Sequence, residues 1–153
     1  MPFQCDIITQ ERTVFSAEID YASLPGTEGI LGILPNHAAL LTTLNFGEVM
    51  VRQAGDEQYF AIGGGFAEIQ PAHVIILADS AEAADEIDTD RAERARAEAE
   101  QAMETGVSAD AERYAQIDAA LRRAQIRIDV SRRRSGRRRR SSLTELGSEG
   151  KEE

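Results

Sequence analysis

The sequence predicts a β + α chain. An antiparallel β-sandwich or barrel spans residues 1–86, an antiparallel two-helix hairpin spans 87–131, and a disordered tail, basic and then acidic, spans 132–153. Three observations carry this. Short runs of strand composition recur with turn residues between them as far as residue 80. Near Asp85 the apolar period changes to a helical one. The charge also divides: residues 1–121 hold six Lys/Arg against 22 Asp/Glu, and residues 122–153 hold eleven against five. Such a split marks a body and an arm with different partners.

In the first part, residues 3–9 read as a strand, and 14–24 as a longer one in which Ala17, Ile19 and Tyr21 alternate with Glu18, Asp20 and Ala22. Residues 48–53 and 58–62 flank Gly55-Asp56 as a hairpin. Residues 66–70 and 74–78 flank Pro71-Ala72-His73 as another. Many short strands at close spacing indicate an antiparallel sandwich or barrel, and no helix of useful length fits before residue 80. Gly63-Gly64-Gly65 lies between strands. A phosphate-cradling loop needs a helix directly after it, and here Phe66-Ala67-Glu68-Ile69 continues as strand. The glycines therefore mark a bulge or a close approach of backbone to backbone.

In the second part, Ala92, Ala95, Ala99 and Ala102 are spaced 3, 4, 3, and Tyr114, Ile117, Leu121, Ala124 and Ile128 are spaced 3, 4, 3, 4. These are seams of two closely packed helices. Asp88 precedes the first as N-cap, and Gly106 and Ser108 are the expected C-cap and N-cap between them. An alanine seam buries little area per residue, so the hairpin should be weakly held. Beyond Ser131 the tract Arg132-Arg133-Arg134-Ser135-Gly136-Arg137-Arg138-Arg139-Arg140 repels itself and carries nothing apolar.

No charged residue stands between Glu28 and Glu48, a stretch of 19 in a chain of net charge −10. Gly29, Gly32, Pro35, Asn36 and His37 interrupt it, which excludes a membrane span. Leu40, Leu41 and Leu44 either fill the core or join a surface. Residues 30–37 read as an apolar loop, and thus as a docking surface. Cys5, the single cysteine, excludes an internal disulfide and a cysteine zinc cluster, and nothing resembles a signal peptide, so a reducing, cytoplasmic setting is expected. Arg123 and Arg127 share one helix face, with Arg91 on the neighbouring helix. They are either surface salt-bridge partners or a polyanion site.

Four stretches in order resemble the epsilon subunit of the bacterial and chloroplast rotary ATP synthase, over about residues 3–130. They are Glu28-Gly29-Ile30-Leu31-Gly32-Ile33-Leu34-Pro35-Asn36-His37-Ala38-Ala39-Leu40-Leu41, Gly64-Gly65-Phe66-Ala67-Glu68-Ile69-Gln70-Pro71, Val74-Ile75-Ile76-Leu77-Ala78-Asp79 and Ile87-Asp88-Thr89-Asp90-Arg91-Ala92. The resemblance implies a sandwich foot of about ten strands and a two-helix regulatory arm. It implies a non-catalytic rotor subunit of the central stalk, peripheral on the cytoplasmic face of the cell membrane. The partners it implies are the gamma shaft, the ring of c subunits, and the alpha and beta subunits of the catalytic hexamer. Ring contact falls on Glu28, Ile30, Leu31, Ile33, Leu34, Pro35 and His37; members often carry an acidic residue where this chain has Ile30. No cofactor is required, but some bacterial members bind regulatory ATP. The positions matching that site here are Glu82, Asp88, Arg91, Ala92, Arg123 and Arg127, while a further arginine of the site is replaced by Glu98. Arg122, Arg123, Arg127, Arg132, Arg133 and Arg134 are the expected inhibitory contacts with the catalytic subunits, whose surface is acidic in this family.

Two other classes have less support. An enzyme needs a nucleophile–base pair or metal cluster, and His37, His73 and Cys5 lack evident partners. Nucleic-acid binding would rest on the arginine tract alone, against an acidic body, and is not expected.

Overall fold

The computed structural model describes residues 1–105 and 110–146, with side chains up to Arg133 in the last helix. Eight strands form one continuous sheet: β1 (Phe3–Ile8), β2 (Thr13–Ile19), β3 (Tyr21–Gly26), β4 (Gly29–Ile33), β5 (Leu40–Gln53), β6 (Asp56–Gln70), β7 (His73–Ala78) and β8 (Ala81–Ala83). Their order is β2-β1-β7-β6-β5-β3-β4, with β8 also on β6. All pairings are antiparallel except β1 with β7.

The expected count of about ten strands becomes eight because β5 and β6 are long strands shared by both layers. The first half of β5 and the second half of β6 pair in the layer that holds β7, β1 and β2. Their other halves pair in the layer that holds β8, β3 and β4. At the corner the inward face changes parity. Buried residues on β6 run Phe60, Ile62 and then Ala67, Ile69; on β5 they run Leu44 and then Val49, Val51. A period of two that breaks mid-strand reads as two strands. Ladder register nevertheless holds across the corner, from Leu44↔Gly65 to Phe46↔Gly63.

Gly64 and Gly65 make the corner. Both have positive φ, +96° and +134°, and a Cβ on Gly65 would collide with the Leu77 carbonyl oxygen. Of the two roles the sequence allows, a bulge or a close backbone approach, the contact at Gly65 is the second. The expected strand over 14–24 divides at Asp20 into β2 and β3. Between the layers lies a core of Phe3, Cys5, Ile7, Ile19, Leu24, Ile33, Phe60, Ile62, Ile69, Val74 and Ile76, among others.

After a short 3₁₀ turn, Ala84–Glu86, come helices α1 (Thr89–Glu104) and α2 (Ala111–Leu146). Asp88 caps α1 as expected, its Oδ1 accepting from the Arg91 N–H at 3.1 Å. Gly106 and Ser108 lie outside the described residues. The cap of α2 is Asp110, whose Oδ1 accepts from the N–H groups of Glu112 and Arg113 at 3.1 and 3.2 Å. Ala92, Ala99, Ala124 and Ile128 are buried in the seam, whereas Tyr114, nearer the tip of the hairpin, is half exposed. The backbone of α2 is helical to Leu146, although the sequence reading ended order at Ser131. No proline follows Pro71, arginine is a strong helix former, and Gly136 alone costs only about 1 kcal/mol.

Candidate functional site: the outer faces of the sandwich and the seat of the hairpin

The uncharged stretch is less of a loop than its glycines suggest. Its first part is the edge strand β4, laddered to β3 from Gly26↔Gly29 to Ala22↔Ile33. Strand alternation then sorts its side chains. Ile33 is 1% exposed and belongs to the core, and Leu31 packs against that core. Ile30 is 81% exposed and Leu34 61%. Residues 34–39 leave the strand, turning at Pro35-Asn36, with Asn36 at φ 62° and its N–H donating to the Pro71 carbonyl at 2.9 Å. Glu28 is exposed at the β3–β4 turn, and Pro35 and His37 are half-buried. The contact set named from the sequence thus loses Ile33, and most of Leu31, to the core.

A second apolar face was not singled out from the sequence. Phe66 on β6 lies opposite Leu77 on β7 and Thr43 on β5, and Leu41 is opposite Glu68 in the next outward row. Phe66, Leu77 and Leu41 are 54%, 52% and 71% exposed. The available signal was the unbroken run Val74-Ile75-Ile76-Leu77, which is apolar on both faces of its strand. Leu44, by contrast, is core.

Between sandwich and hairpin is a cleft of about 360 Å³, walled by the β1–β2 turn, by residues 79–82, and by Arg123 and Arg127. Arg127 enters it as a fork: its Nε donates to Glu82 Oε2 at 2.7 Å and its Nη2 to Oε1 at 3.1 Å. Of the six nucleotide-site residues named from the sequence, Glu82, Arg123 and Arg127 converge here. The other three do not. Asp88 caps its helix, Arg91 faces solvent, and Ala92 is buried in the hairpin seam. Glu98 is exposed and does not line the cleft. Arg12, brought in by the β1–β2 turn, was missed. Its guanidinium grips Glu86 at 2.7 and 3.1 Å and holds that carboxyl below its ordinary value.

The hairpin is seated by Ile126 and Val130, which pack with Tyr59, Ala61, Ala84 and Ile87. Beyond them Arg133 Nε reaches Glu48 Oε2 at 3.2 Å, and its guanidinium lies 5.6 Å from the centre of the Tyr59 ring. Of the other arginines assigned to inhibitory contact, Arg122 is paired with Asp118 at 3.1 Å, Arg132 is exposed, and the side chain of Arg134 lies outside the described residues. Among the described residues no cluster of His, Cys, Asp and Glu fits a metal, and no helix is long and apolar enough to cross a membrane.

Two family models match in tandem: the ATP synthase Delta/Epsilon chain beta-sandwich domain over residues 2–84, and its long alpha-helix domain over 85–132. The ATP synthase epsilon chain of Herpetosiphon aurantiacus is 50% identical over 137 residues, covering 90% of this chain and 99% of that protein. The epsilon chain of Dehalococcoides mccartyi strain BAV1 is 43% identical over 135 residues, covering 84% and 91%. In fold, the chain is similar to one in the cryo-EM structure of the Euglena gracilis mitochondrial ATP synthase OSCP/F1/c-ring in rotational state 1. The TM-score is 0.70 at 23% identity, covering 81% of this chain and 78% of that one.

Proposed function

This chain belongs to the ATP synthase delta/epsilon family as an epsilon chain, a non-catalytic subunit of that enzyme, and from this premise we propose that it is the rotor foot joining the c-ring to the gamma shaft. The observation that carries the reading is apolar side chains left outside on an acidic protein: Ile30 and Leu34 at one edge, and Leu41, Phe66 and Leu77 on the face of the other layer. Uncovered apolar area of this kind marks a protein interface. Glu28, Ile30, Leu34, Pro35 and His37 meet the c-ring; the β5–β6–β7 face meets gamma. The protein is held peripherally on the cytoplasmic face of the cell membrane through the complex.

The test is ATP-driven proton pumping by the reconstituted complex with Ile30→Asp or Leu34→Asp. Pumping should fall while hydrolysis continues and the circular dichroism spectrum stays unchanged. Coupling that survives charge at both positions overturns the ring contact.

The helical hairpin is the regulatory part. With its alanine seam weak, α2 lifts from the sandwich and carries Arg122, Arg123, Arg127 and the arginine tract toward acidic faces of the alpha and beta subunits, restraining ATP hydrolysis. Truncation after residue 131 should raise ATPase activity, and truncation after 104 should raise it further. Equal rates in both truncations and the full-length protein, at low and high salt, overturn this.

ATP is a second, regulatory ligand of the folded hairpin. The cleft holding Glu82, Arg123 and Arg127 favours it, because the phosphates would take the place of the Glu82 carboxylate on Arg127. Calorimetry tests it: binding lost in Arg123→Ala supports the site, and no heat with the full-length protein removes it.

A further inference from the structure

The clasp at Arg133 lies one residue beyond the matched helical family domain, which ends at 132. Its receptor is built on two adjacent strands. Glu48 on β5 and Tyr59 on β6 sit diagonally across the ladder, where Glu48 opposes Ala61 and Met50 opposes Tyr59. The Tyr59 hydroxyl donates to Glu57 Oε2 at 2.5 Å, and Glu57 is held in turn by Arg52 Nη2 at 2.9 Å. Arg52 itself lies 5.1 Å from the Tyr21 ring centre. The aromatic face offered to Arg133 is held from the sheet side by Glu57 and Arg52, and a held ring beside a carboxylate suits a planar guanidinium.

Arg127, Val130 and Arg133 are spaced three apart and lie along one side of α2. Val130 is buried at the centre, and the two arginines are bonded on either side of it, to Glu82 and to Glu48. Toward the tip, α1 and α2 are joined to each other by half-buried side chains and alanines, and it is α2 near its far end that meets the sandwich. The grip on the sandwich is thus concentrated where the arginine tract begins.

We propose that Arg133, seated on Tyr59 and bonded to Glu48, is a latch that holds α2 on the sandwich and sets how often the hairpin lifts. This rests on the reading of the hairpin as a moving regulatory arm. Opening the latch frees the tract that begins at Arg132; closing it keeps the base of the tract against the sandwich.

Hydrogen exchange of the full chain tests it, with Glu48→Gln, Arg133→Gln, both together, and the exchange of charges Glu48→Arg with Arg133→Glu. Each single variant should speed amide exchange over residues 124–133 about three- to fivefold, as loss of a partly exposed ion pair does. The double variant should go no further, and the exchanged charges should recover part of the protection. Exchange in β5 and β6 should not change. In the unaltered protein, raising salt should reproduce part of the effect, which keeps the test independent of any variant's folding. If residues 124–133 open faster than the sandwich but neither the variants nor salt alter the rate, the latch is wrong while the moving arm stands. If they exchange as slowly as the core in every case, the moving arm fails, and the latch with it.

Discussion

Glu82 and Arg127 join the two halves of the molecule by a forked ion pair, 2.7 and 3.1 Å, with their side chains only 27% and 19% exposed. Removing one partner of a partly buried, doubly bonded pair leaves the other short of partners. Arg127→Ala should lower stability by about 1–2 kcal/mol. Urea unfolding followed by far-ultraviolet dichroism measures it, and a change below the error of the fit would leave the seat of the hairpin to Ile126, Val130 and the Arg133 clasp.

Neighbouring positions in the uncharged stretch should behave oppositely. Ile33→Asp places an unpaired carboxylate in the core and should cost about 4 kcal/mol or more, preventing a cooperative melt. Leu34→Asp, on the surface, should change stability by no more than about 0.5 kcal/mol. Thermal melts of the two proteins decide, and equal destabilisation would contradict the strand assignment of β4.

Cys5 is wholly buried, and burial first, then the neighbouring Asp6 charge, pushes its thiol up to about 12. Only thiolate reacts, so the native protein should be inert to an aromatic disulfide reagent at pH 8, with stoichiometric release of colour once it is unfolded in guanidinium. Rapid labelling of native protein would place Cys5 at the surface.

Gly65→Ala should destabilise by at least about 2 kcal/mol, since the added methyl meets the Leu77 carbonyl and φ is +134°. Gly55→Ala, at φ +84° with open space around it, should cost only about 1 kcal/mol. Denaturant midpoints of the two variants report the difference.

Among the described residues three carboxylates are held below their ordinary values in the folded protein. Asp6 is held down first by its hydrogen bond from Ser16 and then by His73 and Gln4; Glu57 first by Tyr59 and then by Arg52; Glu86 first by Arg12. Their contribution to stability is complete above the ordinary values, 3.8 for aspartate and 4.5 for glutamate, and is lost as pH falls through the lower folded values. The melting temperature should therefore hold from pH 7 to about 5 and drop below pH 4. Tyr59→Phe removes the main cause at Glu57, so its melting temperature should fall less steeply over the acid range.

The sequence by itself determined the two kinds of element and their order, strands first and helices after, but not β4, which it read as loop, or β8. Alternation in the first 80 residues and the alanine seam and the larger apolar seam after Asp88 are local periods, and a local period needs no partner to be read. It also marked Asp88 as a cap, the three glycines as a bulge or a close approach, and the uncharged stretch as special, because charge and backbone freedom belong to single residues. Only the tertiary structure decided which side of each strand faces inward. Ile30 and Ile33 are the same residue three apart, and β4 pairing on β3 buries one and exposes the other. The parity change that merges the two strands expected at 58–62 and 66–70 into the single strand β6 falls at Gly64 and Gly65. The meetings of Arg127 with Glu82, of Arg12 with Glu86 and of Arg133 with Glu48 span 45, 74 and 85 residues. No spacing rule reaches that far; the sheet's layering and the return of α2 bring those charges together.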